Sequence, residues 1–161
     1  MLGTIRIVTT ADIEPIKQIA IDTNMFGPDD VDFFDEMITG FIKGTMDDNH
    51  WLVVEHDTTV VAAAYYAPEP FSDRMWNLYF ISVAPDLRGH GIGGDLLDYI
   101  EEQLQACGSD IARVLIVETS STDQYARTRD FYLQHNYDEE ARIRDFYGHN
   151  DNKVVFWKSL A

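Results

Sequence analysis

Four glycines lie within a run of six residues, directly after an arginine: Arg88, Gly89, Gly91, Gly93 and Gly94. Glycines let the backbone turn sharply, and they let successive N–H groups approach a ligand without a Cβ in the way. A helix that begins here would add its unpaired first N–H groups and the positive end of its dipole. The spacing therefore predicts a turn that binds an anion, most often a phosphate.

Three patterns of phosphate-binding glycines can be compared with this run. A P-loop of the GxxxxGK[ST] type requires a lysine and a hydroxyl residue after its last glycine, and Asp95 stands there instead. The run from Gly89 to Gly94 satisfies GxGxxG, and Glu118, at the end of the next predicted strand, could bind a ribose as in dinucleotide-binding proteins. A third pattern, Arg/Gln-x-x-Gly-x-Gly/Ala, is satisfied by Arg88, Gly91 and Gly93. The glycines alone leave the last two patterns open.

The elements around the glycines are a strand before them and a helix after them. An apolar, β-prone stretch from Leu78 to Val83 ends at Ala84–Pro85. Beyond the glycines, apolar residues recur at steps of three and four, which is one face of a helix. These residues are Leu96, Leu97, Ile100 and Leu104. The same criteria predict strands over residues 4–9, 50–56, 60–67, 112–119, 137–147 and 153–160, and helices over 11–22 (capped by Thr10), 31–41 and 124–135.

The length and composition indicate one cytosolic domain. The chain has 161 residues, enough for one domain with its own core, and no repeat or linker interrupts residues 1–161. The one cysteine, Cys107, excludes an internal disulfide and suits a reducing compartment. The longest apolar run, Val60 to Ala67, is too short to span a bilayer. These features predict a soluble, cytoplasmic single-domain protein.

The charge balance restricts the partners. Lysine and arginine number 12 against 28 aspartates and glutamates, which gives a formal net charge of −16. Such a field repels nucleic acid and anionic membranes and favours cationic partners, so neither nucleic acid nor a membrane is expected. Acids that coat the surface for solubility and acids that attract a cationic substrate both account for this charge. An amine substrate is compatible with either.

The order of the predicted elements, β-α-α-β-β-β-α-β-α-β-β, separates the two remaining glycine patterns. A dinucleotide fold consists of successive βαβ units, with its fingerprint usually in the first one. Here a run of antiparallel strands precedes the glycines. With VAPDL before it, the run from Arg88 to Gly94 instead resembles motif A of the GNAT superfamily of acyl-CoA-dependent N-acyltransferases. Residues Thr128 to Tyr137 (TRDFYLQHNY) are similar to motif B of that family, often AxxFYxxxGF, with Phe131, Tyr132 and Tyr137 in place.

The resemblance implies the GNAT fold over essentially the whole chain. This is an α/β (α+β) fold with a mixed, mostly antiparallel sheet of about seven strands, helices on both faces and a splay between the two middle strands. Two residues depart from the family pattern. Asn136 replaces the usual glycine, which the tolerance of asparagine for the left-handed conformation allows, and Tyr125 replaces a frequent asparagine. In this family the last two strands can form a dimer edge, so a homodimer is one expectation.

The resemblance also implies a reaction. Acetyl-CoA, as cosubstrate and without a metal, gives its acetyl group directly to a primary amine of a small molecule or peptide in a ternary complex. Tyr132 is then the proton donor to the leaving thiolate, because a phenol with an ordinary pKa of about 10 is protonated at neutral pH. The main chain of Ile81, Ser82 and Val83 is expected to pair with the pantetheine arm. The pyrophosphate of coenzyme A is expected to meet the N–H groups of Arg88, Gly89, His90, Gly91, Ile92, Gly93 and Gly94.

The group that accepts the proton of the amine is less well defined. The acidic position that the family often uses on the strand before the glycines falls on Asn77 or Tyr79, and neither is a carboxylate. Glu118 ends the next strand, where the two strands are expected to splay, and is the candidate general base. A structural role, with hydrogen bonds to the hydroxyl residues 119–121, is equally expected of it. A water relay through Tyr79 is a further alternative.

The acceptor site is expected in stretches that vary among such enzymes: Asn24–Pro28, Tyr65–Phe71 and Tyr147–Asp151. They offer aromatic rings beside carboxylates, which suits an ammonium group with an apolar body. These residues are Phe26, Tyr65, Tyr66, Phe71 and Tyr147, with Asp29, Asp30, Glu69 and Asp151. Two other functions stay open, a catalytically silent acyl-CoA-binding module and a nucleotide-dependent oxidoreductase.

Overall fold

A computed structural model describes residues 2–45 and 48–161 of the chain. The strands are β1 (Thr4–Ile7), β2 (His50–His56), β3 (Thr59–Pro68), β4 (Met75–Val83), β5 (Val114–Ser120), β6 (Asp138–Gly148) and β7 (Asp151–Ser159). The helices are α1 (Ile13–Asp22), α2 (Phe33–Ile42), α3 (Ile92–Cys107) and α4 (Ala126–Gln134). Every strand and helix predicted from the sequence is present. Within the described ranges, none of the helices has the length and apolar character of a membrane-spanning segment.

The strands form one seven-stranded sheet in the order β1-β2-β3-β4-β5-β7-β6. Strands β4 and β5 are parallel, with Met75–Leu78 opposite Val114–Val117. The pairs β1–β2, β2–β3, β5–β7 and β6–β7 are antiparallel. This mixed, mostly antiparallel sheet confirms the predicted α/β class. The splay of β4 and β5 beyond Leu78 and Val117 stays a prediction.

The chain divides into two compact units. The first comprises Met1–Ala67 and Phe80–Ile100, and the second comprises Pro68–Tyr79 and Glu101–Ala161. Strand β4 and helix α3 therefore each contribute residues to both units. The single domain over residues 1–161 stays a prediction.

The hydrophobic core of the first unit includes Phe80, in the second half of β4. Its buried members recur at alternate strand positions and at helical steps: Trp51, Val53, Ala63, Tyr65, Ala67 and Phe80, with Ile16, Ala20, Phe34 and Ile38. The Phe34 ring of α2 packs edge-on against Trp51 and Phe80, with centroids 5.8 and 5.3 Å away. Truncating such a ring to alanine costs about 3–5 kcal/mol. The helix α2 therefore fixes the strand that leads into the glycine loop.

The start of the first helix corrects one prediction. The sequence predicts Thr10 as the cap, which is wrong, because a 3-10 turn over Thr10–Asp12 precedes α1 and Thr9 caps that turn. The Asp12 carboxylate accepts hydrogen bonds from the Thr9 N–H at 2.7 Å and from the Arg6 guanidinium at 2.7 and 2.9 Å. Burial opposes the charged form of Asp12, but these bonds outweigh it and hold the pKa of Asp12 below its usual value. Because the 3-10 turn occupies Thr10–Asp12, α1 begins at Ile13.

The second unit is built on the antiparallel ladder of β5, β7 and β6. Strand β5 pairs along its length with Lys153–Ser159 of β7. The carboxylate of Glu101, which is 7% exposed, accepts hydrogen bonds from Lys158 Nζ at 2.6 Å and Tyr137 Oη at 2.9 Å. This buried and paired carboxylate ties the second half of α3 to β7 and to Tyr137, which lies between α4 and β6.

Candidate active site

The loop between β4 and α3 has the conformation that its glycines predict. After a 3-10 turn over Pro85–Leu87, Arg88 is extended with φ −63° and ψ 149°. Gly89 and Gly91 take left-handed φ values of +83° and +80°, where an L side chain is strained. A Cβ added at either glycine would meet no atom within 4 Å. The backbone turn therefore requires these glycines, and the space beside them is open.

The loop is exposed and leads into an anchored helix. Residues 88–91 are exposed, whereas Ile92 at the start of α3 is 1% exposed. The first helical hydrogen bond joins the Asp95 N–H to the Gly91 carbonyl at 2.9 Å, so the three amides before it have no intrahelical acceptor. These are the amides of Ile92, Gly93 and Gly94. With the positive end of the helix dipole and the Arg88 guanidinium, they form a site suited to an anion.

The end of β4 offers main chain rather than side chain to a ligand. Ser82 is 6% exposed, and its hydroxyl donates to the Thr23 hydroxyl at the end of α1, at 3.4 Å. Ile81 and Val83 are half-buried. Because the Ser82 side chain is directed to α1, a ligand would meet Ser82 through its backbone.

Tyr132 of α4 is buried among rings of the second unit. It is 2% exposed, and the ring centroids of Phe131, Tyr137 and Phe156 lie 5.2, 5.8 and 5.5 Å from its own. Burial raises the pKa of Tyr132 well above its usual value. No group of the described chain forms a hydrogen bond with its hydroxyl. Tyr132 therefore keeps its proton at neutral pH and has an unused hydrogen-bond donor.

The end of α4 confirms the expectation for Asn136. This residue takes φ +68°, and the Tyr137 N–H donates to the Tyr132 carbonyl at 3.0 Å. Asn136 thus adopts the left-handed conformation in place of the family's glycine. The turn brings the Tyr137 ring against Tyr132.

Glu118 lies at the end of β5 in an ion pair. Its carboxylate is 3.0 Å from Lys153 Nζ, and the side chains are 23% and 14% exposed. The expectation of hydrogen bonds to residues 119–121 is wrong, since the Ser120 hydroxyl bonds to Asp151 instead. In the antiparallel register Ser120 is opposite Lys153, which places the lysine diagonal to Glu118, within reach of a long side chain.

The carboxylate of Glu69 lies beside Asn77 and Tyr79, the two residues at the position where the family often has an acid. Glu69 Oε2 accepts hydrogen bonds from Asn77 Nδ2 at 3.0 Å and from Tyr79 Oη at 2.7 Å. The Glu69 N–H donates to the Met75 carbonyl at 2.8 Å, so the hairpin between β3 and β4 carries the carboxylate over β4. The sequence places Glu69 in an acceptor stretch but not beside Asn77 and Tyr79. Residues 75, 77 and 79 share one face of the strand, and this alternation is the sequence signal that could have predicted that Asn77 and Tyr79 lie side by side.

The aromatic residues expected around the acceptor divide into packed and exposed ones. Tyr65 and Tyr66 are only 6% and 4% exposed, and Phe26 packs against the core of the first unit. These three rings therefore pack in the interior, and their place in an acceptor site stays a prediction. Phe71 is fully exposed and Tyr147 is 47% exposed. The partial burial of Tyr147, with the nearby carboxylates, raises its pKa to about 12.

Fold and loop together define the class of protein. Antiparallel pairs on both sides of the sheet order exclude the parallel, doubly wound sheet that a dinucleotide fingerprint requires. A glycine loop between the fourth strand of a mixed sheet and a helix is instead the arrangement that the resemblance to GNAT acyltransferases implies. The chain belongs to the Acetyltransferase (GNAT) family, whose model matches residues 15–137.

Solved structures share this fold over nearly their whole length. A GNAT-family protein from Desulfovibrio desulfuricans is 27% identical, with a TM-score of 0.88 over 98% of this chain and 99% of that chain. An aminoglycoside 6′-N-acetyltransferase complexed with coenzyme A is 15% identical, with a TM-score of 0.76 over 98% and 97%. The yncA protein of Salmonella typhimurium, with its cofactor acetyl-CoA, is 18% identical, with a TM-score of 0.79 over 100% and 95%. The predicted GNAT fold is confirmed, and the family makes this chain an acyltransferase.

Proposed function

We propose that this protein transfers the acetyl group of acetyl-CoA to a primary amine, directly and without an acyl-enzyme. The observation that carries the proposal is the glycine loop, whose exposed amides and left-handed glycines suit a pyrophosphate. Two solved structures of the same fold contain coenzyme A or acetyl-CoA. Their ligands support the same cosubstrate here.

The loop and the end of β4 would hold the coenzyme. The N–H groups of residues 88–94 receive the pyrophosphate, and the Arg88 guanidinium adds a positive charge. Because the chain carries a net charge of −16, its field opposes a polyanionic ligand, and oriented amides beside a local cation offset that repulsion. The backbone of Ile81–Val83 pairs with the pantetheine arm as an added strand, and one of its N–H groups polarises the thioester carbonyl.

The chemistry requires a neutral amine and a proton for the leaving thiolate. Tyr132 is the proposed donor of that proton, since burial keeps it protonated and its hydroxyl is not engaged by the described residues. Glu118 is the carboxylate that the sequence proposes for the proton of the amine. Protonation of Glu118 would discharge its ion pair with Lys153.

The acceptor is proposed to be a cationic amine, on a small molecule or a peptide. The net charge of −16 raises the local concentration of cationic molecules and speeds their encounter with the protein. The same field disfavours acidic acceptors.

Thermal stability in the presence of acetyl-CoA, coenzyme A, NADH or ATP tests this function. A ligand that binds only the folded state adds roughly 2.7 kcal/mol at about 100 times its Kd. We expect stabilisation by acetyl-CoA and coenzyme A and none by NADH. Stabilisation by NADH or ATP without a response to acetyl-CoA would contradict the proposal. Binding of acetyl-CoA without transfer to any amine would identify a silent binding module.

A further inference from the structure

We propose that Glu69 is a catalytic residue, which binds the ammonium group of the acceptor and removes its proton in place of Glu118. This inference rests on the proposed acetyl transfer and assigns the proton acceptor of that same reaction. Three residues of the second unit carry it: Glu69, Asn77 and Tyr79, called the Glu69 cluster below.

The hairpin before β4 fixes the Glu69 carboxylate. The Glu69 N–H donates to the Met75 carbonyl at 2.8 Å, and the Glu69 carbonyl accepts from the Ser72 hydroxyl at 2.7 Å. At the other end of the side chain, Oε2 accepts hydrogen bonds from Asn77 and Tyr79. A carboxylate held at its main chain and at one oxygen has little conformational freedom to lose when it binds a ligand.

Two acceptor atoms of the cluster have no donor. The Asn77 amide nitrogen faces Glu69, because only that end of the amide can donate to a carboxylate, so its carbonyl oxygen Oδ1 is directed elsewhere. Asn77 is 1% exposed, and Oδ1 is buried without a hydrogen-bond partner among the described residues. Glu69 Oε1 likewise has none within residues 2–45 and 48–161. A buried acceptor without a donor, such as Asn77 Oδ1, is rare and costly. Glu69 is half-buried, so its Oε1 can accept a hydrogen bond from an N–H of a bound molecule.

The charge of Glu69 also lacks a cation. Its hydrogen-bond donors are neutral, and no lysine, arginine or histidine of the described chain pairs with it. Glu118, by contrast, is paired with Lys153. A primary ammonium carries one positive charge and three N–H donors. It therefore complements the charge of Glu69 and its unused oxygen Oε1.

Along the sequence, the cluster ends two residues before the strand segment proposed to hold the coenzyme arm. Tyr79 precedes Ile81 by two residues on β4, and alternate residues of a strand share a face. Leu78 is opposite Val117 in the parallel register, so Tyr79 and Glu118 are the next residues along the two strands. Glu118 thus follows this register on β5, and the Tyr79 that bonds to Glu69 follows it on β4.

The proposed step balances as follows in protons and bonds. One N–H bond of the ammonium breaks as its proton forms an O–H bond with Glu69. The neutral nitrogen forms a bond with the thioester carbonyl carbon, the C–S bond breaks, and the sulfur takes the proton of Tyr132. The second proton of the nitrogen leaves through water and restores Tyr132, and Glu69 releases its proton to solvent. The net products are the amide, coenzyme A thiol and one proton.

Substitutions of three glutamates test the assignment. Glu69→Gln and Glu118→Gln are compared with Glu140→Gln, which changes an exposed carboxylate of β6. Acetyl transfer is measured with the best accepted of tyramine, putrescine and kanamycin, all ammonium ions at pH 7, and with aniline, which is neutral there. We expect Glu69→Gln to lower kcat/KM for the ammonium acceptor by about 10²–10⁴-fold and to leave aniline turnover and stabilisation by coenzyme A essentially unchanged. Its rate should recover as rising pH deprotonates the amine in solution.

Three results would overturn the assignment. The first is an equal loss with both kinds of amine and no recovery at high pH, which indicates a structural role. The second is Glu118→Gln reproducing the expected pattern while Glu69→Gln does not. The third is a kcat/KM of Glu69→Gln for the ammonium acceptor equal to that of Glu140→Gln. Where aniline is not accepted, the pH recovery decides. Failure of the proposed function is distinct, because the unsubstituted protein would then either not be stabilised by acetyl-CoA or transfer an acetyl group to none of the amines.

Discussion

The glycine loop and the Glu69 cluster use the chain in opposite ways. In the loop, the groups that can bind are main-chain amides, and two left-handed glycines direct them into open space. In the cluster, the groups are side chains, and hydrogen bonds across a hairpin join Glu69 to residues eight and ten positions later. The first arrangement depends on local backbone conformation and the second on tertiary packing. Coenzyme binding and proton transfer should therefore respond to different substitutions.

The largest effect is expected from Tyr132→Phe. Phenylalanine keeps the ring packing but removes the proposed proton donor, so kcat should fall by about 10²–10⁴-fold while acetyl-CoA affinity stays unchanged. The matched control is Tyr137→Phe, which removes the hydroxyl bound to Glu101. This control should cost about 1–3 kcal/mol of stability and leave kcat nearly unchanged. Steady-state kinetics and urea unfolding of both variants check this, and a wild-type kcat for Tyr132→Phe would count against its role.

Lys158→Met tests the ion pair between Lys158 and Glu101, which we expect to stabilise the fold and which is separate from the Glu69 cluster. Glu101 is 9% exposed at its side chain and would lose its cationic partner, so we expect a stability loss of about 3–5 kcal/mol in urea unfolding. The comparison is Arg142→Met, because the ion pair of Arg142 with Glu139 is exposed. That variant should stay within about 0.5 kcal/mol of the wild type. Equal losses in the two variants would show that burial of Glu101 does not govern the effect.

Gly91→Val tests the main-chain side of the comparison. Valine at φ +80° is strained, at a cost of about 1–3 kcal/mol, and it turns the amides away from the anion. Gly108→Val is a close control, since Gly108 has φ +87° and also has no atom within 4 Å of an added Cβ. We expect the two variants to lose similar amounts of stability. Acetyl-CoA affinity should fall about tenfold or more, equivalent to 1.4 kcal/mol, in Gly91→Val alone. A calorimetric titration in which both variants lose affinity equally would refute this role of the loop.

The smallest effect is a pH dependence of stability in the first unit. Burial opposes ionisation of Asp12, but hydrogen bonds from Arg6 and Thr9 outweigh it and hold its pKa below the usual 3.8. A carboxyl whose pKa is lowered on folding stabilises the folded state above the unfolded pKa and loses that contribution as pH falls through the folded value. Asp12→Asn should therefore flatten the loss of stability below about pH 4, without changing kcat at neutral pH. Urea midpoints measured against pH check this, and an unchanged acid limb would contradict it.

Local signals made the loop and the fold predictable. Glycines, an arginine and an amphipathic helix follow one another in the sequence, so their arrangement needs no distant residue. The order of strands and helices also follows from periodicity and turn residues. Asn136 was identifiable for the same reason, since its left-handed conformation is local.

Contacts between distant residues account for what the sequence did not predict. The partner of Glu118 is Lys153, and their meeting depends on the register of β5 with β7. Glu69 reaches Asn77 only because the hairpin between β3 and β4 closes, with Phe71 and Arg74 in left-handed conformations that bulky side chains rarely adopt. Tyr65 belongs to a stretch expected around the acceptor, and its burial in the core depends on the strands and helices that pack against β3. The sequence contains these residues, but it does not show which distant residues they contact once the strands pair.

The most direct test of the division between main-chain binding and side-chain chemistry is a titration of acetyl-CoA into the wild type, Gly91→Val and Tyr132→Phe, with kcat measured at saturation on the same preparations. We expect Gly91→Val to bind more weakly yet approach the wild-type kcat. We expect Tyr132→Phe to bind as the wild type does and to turn over far more slowly. Weaker binding by Tyr132→Phe to the same degree, or wild-type affinity in Gly91→Val, would contradict that division.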